Sequence, residues 1–125
     1  MKGGCGYPQM LDVALLAEQP FELLILLVLG HFLADFPLQS DRMAVEKCPG
    51  KDAVLDWRWW LAAHSATHGF VVAILTGAPF LGLAEMFFHA SIDYCKCRFR
   101  YPIVADQLMH GACKVGWVLV LTKWF

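Results

Sequence analysis

All five histidines of this 125-residue chain stand four residues from another histidine or an aspartate: His31 with Asp35, His64 with His68, His89 with Asp93, and His110 with Asp106. Residues four apart project from one face of a helix, so each pair is a two-point ligand set. Imidazole and carboxylate together form the donor set of zinc, manganese and iron, and eight such groups are enough for one or two ions. Asp35, Asp93 and Asp106 facing one another in an apolar interior would repel, which either raises their proton affinity or calls for a cation. The spacing therefore predicts a buried divalent-metal site built from His31, Asp35, His64, His68, His89, Asp93, Asp106 and His110. Taken singly, each member has a plainer reading: an interhelical hydrogen bond for His64 or His68, a helix cap for Asp106. The set is more specific than any pair in it, because each predicted helix carries one.

The same stripes continue a turn further. Glu85 precedes His89 by four and Lys114 follows His110 by four, so on antiparallel neighbours they fall at one depth and should form a buried ion pair. Gln39 follows Asp35 by four but lies beyond Pro37; it either turns back over the site or caps the helix.

Four helices must position these groups. Pro20 and Pro37 bracket an apolar run, giving a first span of 20–36. The charged stretch 40–56 reads as a polar loop, and Gly77-Ala78-Pro79 divides the following apolar stretch into spans 58–76 and 79–95. The last span is 103–123. The pairs sit at the C-terminal ends of the first and third helices and the N-terminal ends of the second and fourth, so alternating directions bring them to one end of the bundle. Asp35, His64, Asp93 and Asp106 should form an outer layer, with His31, His68, His89 and His110 beneath it. Gly30, Gly69, Gly111, Ala63 and Ala112, beside the pairs, would permit close helix approach.

A hydrophobic content of 58% and a mean hydropathy of +0.52 exceed the usual range of soluble domains. They predict an all-α, polytopic membrane protein: a single domain spanning 1–125, folded as an antiparallel bundle of four transmembrane helices. Arg42, Lys47, Lys51, Arg58, Lys96, Arg98 and Arg100 fall in the two odd-numbered loops, against Lys2 and Lys123 on the other side, so both termini should lie outside the cytoplasm and the site near its inner face. Trp57, Trp59, Trp60 and Trp124 would then serve as interfacial belts, and Lys96, Arg98 and Arg100 either mark the inner face or meet an anionic headgroup or phosphate. Lys2 followed by acidic Asp12, Glu18 and Glu22 does not resemble a cleavable leader. Five cysteines (Cys5, Cys48, Cys95, Cys97 and Cys113) match no disulfide framework and read as mostly reduced thiols. A net charge of −1 with clustered basic residues gives no nucleic-acid footprint.

The segments His31-Phe32-Leu33-Ala34-Asp35-Phe36-Pro37-Leu38-Gln39, then His64, His89-Ala90-Ser91-Ile92-Asp93 and Asp106-Gln107-Leu108-Met109-His110 resemble, in this order, the uncharacterised membrane family catalogued as domain of unknown function 3307. The resemblance covers roughly Leu24–Leu121. It implies a multi-helix membrane protein of bacteria and their phages, with no assigned activity. The family's motif positions fall on His31, Asp35, Gln39, His64, His89, Asp93, Asp106, Gln107 and His110, whereas His68 and Lys114 rest on spacing alone. A more distant likeness in pattern to bacterial membrane-bound metal-dependent hydrolases implies a metal that activates water, with Asp35 or Asp106 handling the proton and a lipid phosphate or acyl ester as substrate.

Four functions follow as expectations: a metal-dependent membrane hydrolase acting on a membrane lipid; a transporter of metal ions or protons; a haem protein; and a structural or interaction protein held by its polar network. Against transport, only Glu85 and Lys114 offer polar steps through the far half of the bundle. Against haem, three carboxylates crowd the histidines. A bundle this small is compatible with a homo-oligomer.

Overall fold

The computed structural model describes residues 19–124, the side chain of Trp124 excepted. Lys2, Cys5, Asp12 and Glu18 lie outside the described residues, as does the side chain of Trp124. The chain is all-α. Helix α1 spans Pro20–Asp35, α2 Asp41–Glu46, α3 Trp57–Thr76, α4 Pro79–Phe99 and α5 Ile103–Trp124. Prolines set α1 and α4 at their first turns, where a missing N–H costs nothing. Pro37 prevents α1 from continuing, and Gln39 Nε2 donates to the Asp35 carbonyl at 2.9 Å, capping the helix end. Gly77, at φ 64°, terminates α3 in the left-handed region, so α3 and α4 form the tight hairpin that Gly77-Ala78-Pro79 implies.

The long polar connection is more ordered than its charges suggest. Ser40 caps α2 by accepting from Met43 N at 3.1 Å. Glu46 is buried, accepting from Arg42 Nε (2.6 Å) and Trp60 Nε1 (3.0 Å). Trp60 thus ties this segment to α3. A disulfide joins Cys48 to Cys97, with Cα atoms 5.4 Å apart, and fastens the same segment to the end of α4. The expectation of reduced thiols is therefore wrong for these two; Cys95 and Cys113 are free. Because the bond spans 49 residues, its loss through Cys48→Ser should lower stability by about 4 kcal/mol on chain-entropy grounds, read as a drop in Tm. Tryptic mapping without reduction checks the pairing directly, since cleavage after Lys96 separates Cys95 from Cys97.

Two different interiors share the bundle. Where α1 and α4 begin and α3 and α5 end, Leu23, Leu27, Val72, Leu81, Val118 and Leu121 form an apolar core. At the opposite end the interior is polar, and along the bundle large apolar side chains such as Leu29, Phe70, Phe80, Leu83, Phe87 and Leu108 stay on the outside. Helices α3 and α4 approach most closely at Gly69 and Gly82: a Cβ on either would stand 2.5 Å from the other's carbonyl oxygen. Gly30 is also crowded, by Val71, whereas nothing lies near Gly111, which is not required for packing.

The membrane expectation is overturned. No helix among the described residues is long and apolar enough to cross a membrane. Helix α1, with 16 residues, reaches only ~24 Å against a hydrocarbon thickness of ~30 Å. The longer helices are diluted by polar residues, some in the interior and some exposed: Glu85, Asp93, Lys96 and exposed Arg98 in α4, Asp106, Lys114 and exposed Lys123 in α5, and exposed Arg58 with two buried histidines in α3. The transmembrane bundle, its placement in a bacterial inner membrane, the orientation of the termini and the interfacial roles of the tryptophans fall together. The helices themselves stand close to their expected bounds. Helix α4 runs on to Phe99, so Lys96 and Arg98 belong to its last turn rather than to a loop.

Candidate metal centre

The four pairs converge at one end of the bundle, and all eight side chains are buried, from fully enclosed His64 and His110 to Asp35 at 8% exposure. One group of donors closes around Asp35. Its Oδ1 lies 3.3 Å from His64 Nε2, 3.1 Å from His68 Nε2 and 3.8 Å from His89 Nε2, while the Nε2 atoms of His64 and His89 are 3.2 Å apart. Ligands of a tetrahedral zinc at ~2.0–2.1 Å stand ~3.3–3.4 Å from one another, and three of these four separations lie near that length while the contact to His89 is longer. A second group comprises His110 with Asp93 and Asp106: His110 Nε2 lies 3.4 Å from Asp93 Oδ1 and 3.6 Å from Asp106 Oδ1. The two groups share no residue and adjoin, with His64 Nε2 3.4 Å from Asp93 Oδ2. Buried His/Asp groups here could hold a metal ion.

The layering follows the expected depth. The rings of His31, His68, His89 and His110 lie together, those of His68 and His89 stacked at 3.6 Å and those of His89 and His110 at 4.1 Å. His31 is turned to a different task from its neighbours. Its Nε2 donates to Gln107 Oε1 (3.1 Å), and Gln107 Nε2 donates to Asp35 Oδ2 (2.8 Å), so the two residues orient that carboxylate.

Several buried polar atoms have no hydrogen-bond partner among the described residues: His68 Nε2, His110 Nε2 and Asp106 Oδ1 within the two groups, together with Nδ1 of His31, His64, His89 and His110 and Gln39 Oε1. Leaving such atoms unmatched costs about 1–3 kcal/mol each. His68 Nε2 faces Asp35 Oδ1 at 3.1 Å and His110 Nε2 faces Asp93 Oδ1 at 3.4 Å, neither aligned to hydrogen-bond it. The donor chemistry and these orphaned atoms fit a borderline divalent cation.

The electrostatics divide the two groups. Burial pushes the His68 imidazole down to about 3 and that of His89 down to about 4, so both are neutral and carry lone pairs. Burial alone would raise the Asp35 carboxyl, but the imidazoles of His31, His64 and His68 at its oxygens and the hydrogen bond from Gln107 hold it well below the usual range. The first group is thus one carboxylate among imidazoles. In the second, burial opposes protonation of His110, yet Asp106 and Asp93 outweigh it and lift the ring to about 9. Two lysines complete that balance: Lys47 Nζ meets Asp93 Oδ2 at 2.5 Å and Lys96 Nζ meets Asp106 Oδ2 at 2.8 Å. Neither lysine was assigned to the site from the sequence. Each sat among loop charges, and a partner 46 residues away leaves no periodic signal.

One turn deeper, Lys114 and Glu85 are both fully buried and ion-paired through Lys114 Nζ and Glu85 Oε1. Trp117 Nε1 donates to Glu85 Oε2 at 2.6 Å, and His89 Nδ1 faces Glu85 Oε1 at 3.4 Å. A carboxylate behind Nδ1 favours the tautomer whose free lone pair is on Nε2, the atom facing Asp35. Gln39 caps α1 rather than reaching over the centre.

Fold and site together define an all-α bundle with an interior His/Asp centre able to accept a metal ion. Over residues 23–123 the chain matches the family model described as "Protein of unknown function (DUF3307)", and it belongs to that family. No curated protein and no solved structure matches it.

Proposed function

We propose that this protein is a metal-dependent hydrolase, its centre formed by Asp35, His64, His68 and His89, with Asp93, Asp106 and His110 as an adjoining second set. The observation that carries the reading is the convergence of four donor atoms, one from α1, two from α3 and one from α4, at the mutual distances of a single ion's ligands. Zinc, manganese and iron suit this donor set. Four protein donors fill a tetrahedral ion, so the reading requires an ion that accepts a further ligand; such an ion would supply Lewis acidity, polarising an ester oxygen and making water a competent nucleophile near neutral pH.

The two candidate catalytic carboxylates have different duties in this scheme. Asp35 is engaged through both oxygens and serves as a ligand held by Gln107 and His31. Asp106 has Oδ2 on Lys96 and Oδ1 without a partner, so it is the group able to take a proton from attacking water, and Lys96 beside it is placed to neutralise charge gathering on the substrate.

The test is hydrolysis of chromogenic acyl and phosphate esters by the protein loaded with zinc, manganese or iron, against chelated protein. Asp106→Asn should retain the first group's metal and lose ~10²–10⁴-fold in turnover, the usual worth of a positioned base. Activity indifferent to chelation, or unaffected by Asp106→Asn, would overturn the assignment. A second reading, a metal-free polar network that fixes helix register, is favoured by one observation: Lys47, Lys96, Lys114 and protonated His110 balance Asp35, Glu85, Asp93 and Asp106 one for one.

A further inference from the structure

We infer that the cavity between the α2 segment and the end of α4, where Lys47, Lys51, Lys96 and Arg100 surround Asp93, binds a phosphate-bearing anion and presents it to the His/Asp centre. The cavity measures about 730 Å³, room for a small phosphate ester. Its lining holds four cations to one carboxylate, and that carboxylate, Asp93, reaches from the cavity to His110 and His64 inside the centre. The opposite end of the bundle offers a contrast: a cavity of about 590 Å³ beside Phe80, Leu81 and Trp117 with no charged lining.

The lining cations are of two kinds. Lys47 and Lys96 lie on Asp93 and Asp106, at the boundary between cavity and centre. Lys51 and Arg100 form no ion pair among the described residues, although both line the cavity. Lys47 and Lys96 are answered by Asp93 and Asp106, which leaves Lys51 and Arg100 as the two lining cations open to an anion. Planar guanidinium and ammonium groups converging from two segments suit the oxygens of a phosphate. The disulfide between Cys48 and Cys97 holds those two segments together, and both cysteines line the same cavity.

Anion and metal are coupled here. A cation held by Asp93 and Asp106 takes up the charge that Lys47 and Lys96 now neutralise, so both ammonium groups turn free for the cavity's occupant. By linkage the anion then favours the metal by the same factor. The coupling rests on the metal reading of the centre; the anion site itself rests on the cavity.

The experiment is calorimetric titration of inorganic phosphate into zinc-loaded and metal-free protein, with metal content measured on the same samples. Zinc-loaded protein should bind phosphate, about tenfold or more tighter than metal-free protein. Lys51→Ala with Arg100→Ala should weaken it by at least about tenfold while metal content stays unchanged, since neither residue is in a ligand group. Competition separates the source of the phosphate: displacement by glycerol 3-phosphate identifies a free ester, and displacement only by phosphatidylcholine vesicles containing phosphatidic acid identifies a lipid headgroup. Phosphate left unbound by the zinc-loaded protein, or bound equally well by the double variant, overturns the site. Phosphate bound through Lys51 and Arg100 in protein that takes up no metal keeps the anion site and refutes the metal centre and the coupling.

Discussion

Protein purified without chelators is expected to carry about one to two equivalents of zinc, manganese or iron, and His64→Ala with His68→Ala to lose the metal of the first group. His68 and His89 are neutral, and Asp35 is ionised and held in place by Gln107, so the first group needs no proton released before it accepts a cation. The second group is already neutralised, by Lys47, Lys96 and the proton on its own His110, and must give up both lysines and that proton. One tightly held ion and one weaker ion is therefore the expected pattern in a metal titration. Stability should follow, because a ligand at about a thousand times its Kd adds about 4 kcal/mol, which chelation removes as a fall in Tm on the order of 10 °C. Elemental analysis beside a melting curve reads both. A wild-type protein that is metal-free after exposure to all three ions, and melts alike with and without chelator, would leave the charge-balanced network as the account of these residues.

How much of this was legible in the sequence depends on the range of the signal. The i, i+4 pairs and their continuation to Glu85 and Lys114 repeat with the period of a helix, and antiparallel order alone brings them to one end. Proline at the start of α1 and α4, and Gly77 between α3 and α4, punctuate the chain locally, so the helix bounds could be read to within a few residues. Lys47 and Lys96 could not, because their carboxylate partners lie on other segments and nothing in the spacing marks them. The same holds for the pairing of Cys48 with Cys97 and for the contact of Glu46 with Trp60. The membrane reading failed for a different reason. Composition totals apolar residues without saying where they stand, and in this chain many of the polar residues that lower the longer helices' hydropathy are gathered in the interior, with exposed Arg58, Arg98 and Lys123 adding to them. Mean hydropathy over the chain and the apolarity of each helix are separate quantities, and only the second bears on crossing a bilayer.

The other large effect is expected at Lys114. Replacing it with Met keeps much of the aliphatic stem's volume but strands Glu85, fully buried, with only Trp117 and His89 to answer its charge. Breaking a buried pair from one side costs about 3–5 kcal/mol, because the remaining charge keeps its desolvation penalty and loses its partner. Glu85→Leu alone should be damaging for the reciprocal reason, leaving an ammonium among apolar side chains. The two changes together remove both charges, and buried pairs replaced by apolar groups of similar volume are often neutral in stability. Urea denaturation of the two single variants and the double variant should thus show a double variant more stable than either single one. Metal affinity separates from stability in this set. Glu85 stands behind His89 Nδ1, and loss of such a supporting carboxylate typically lowers metal affinity 10–100-fold. The double variant should therefore fold well and bind metal weakly. A double variant as unstable as the sum of its parts would mean that Glu85 and Lys114 act independently, and one that binds metal as tightly as wild type would mean that Glu85 does not set the tautomer of His89.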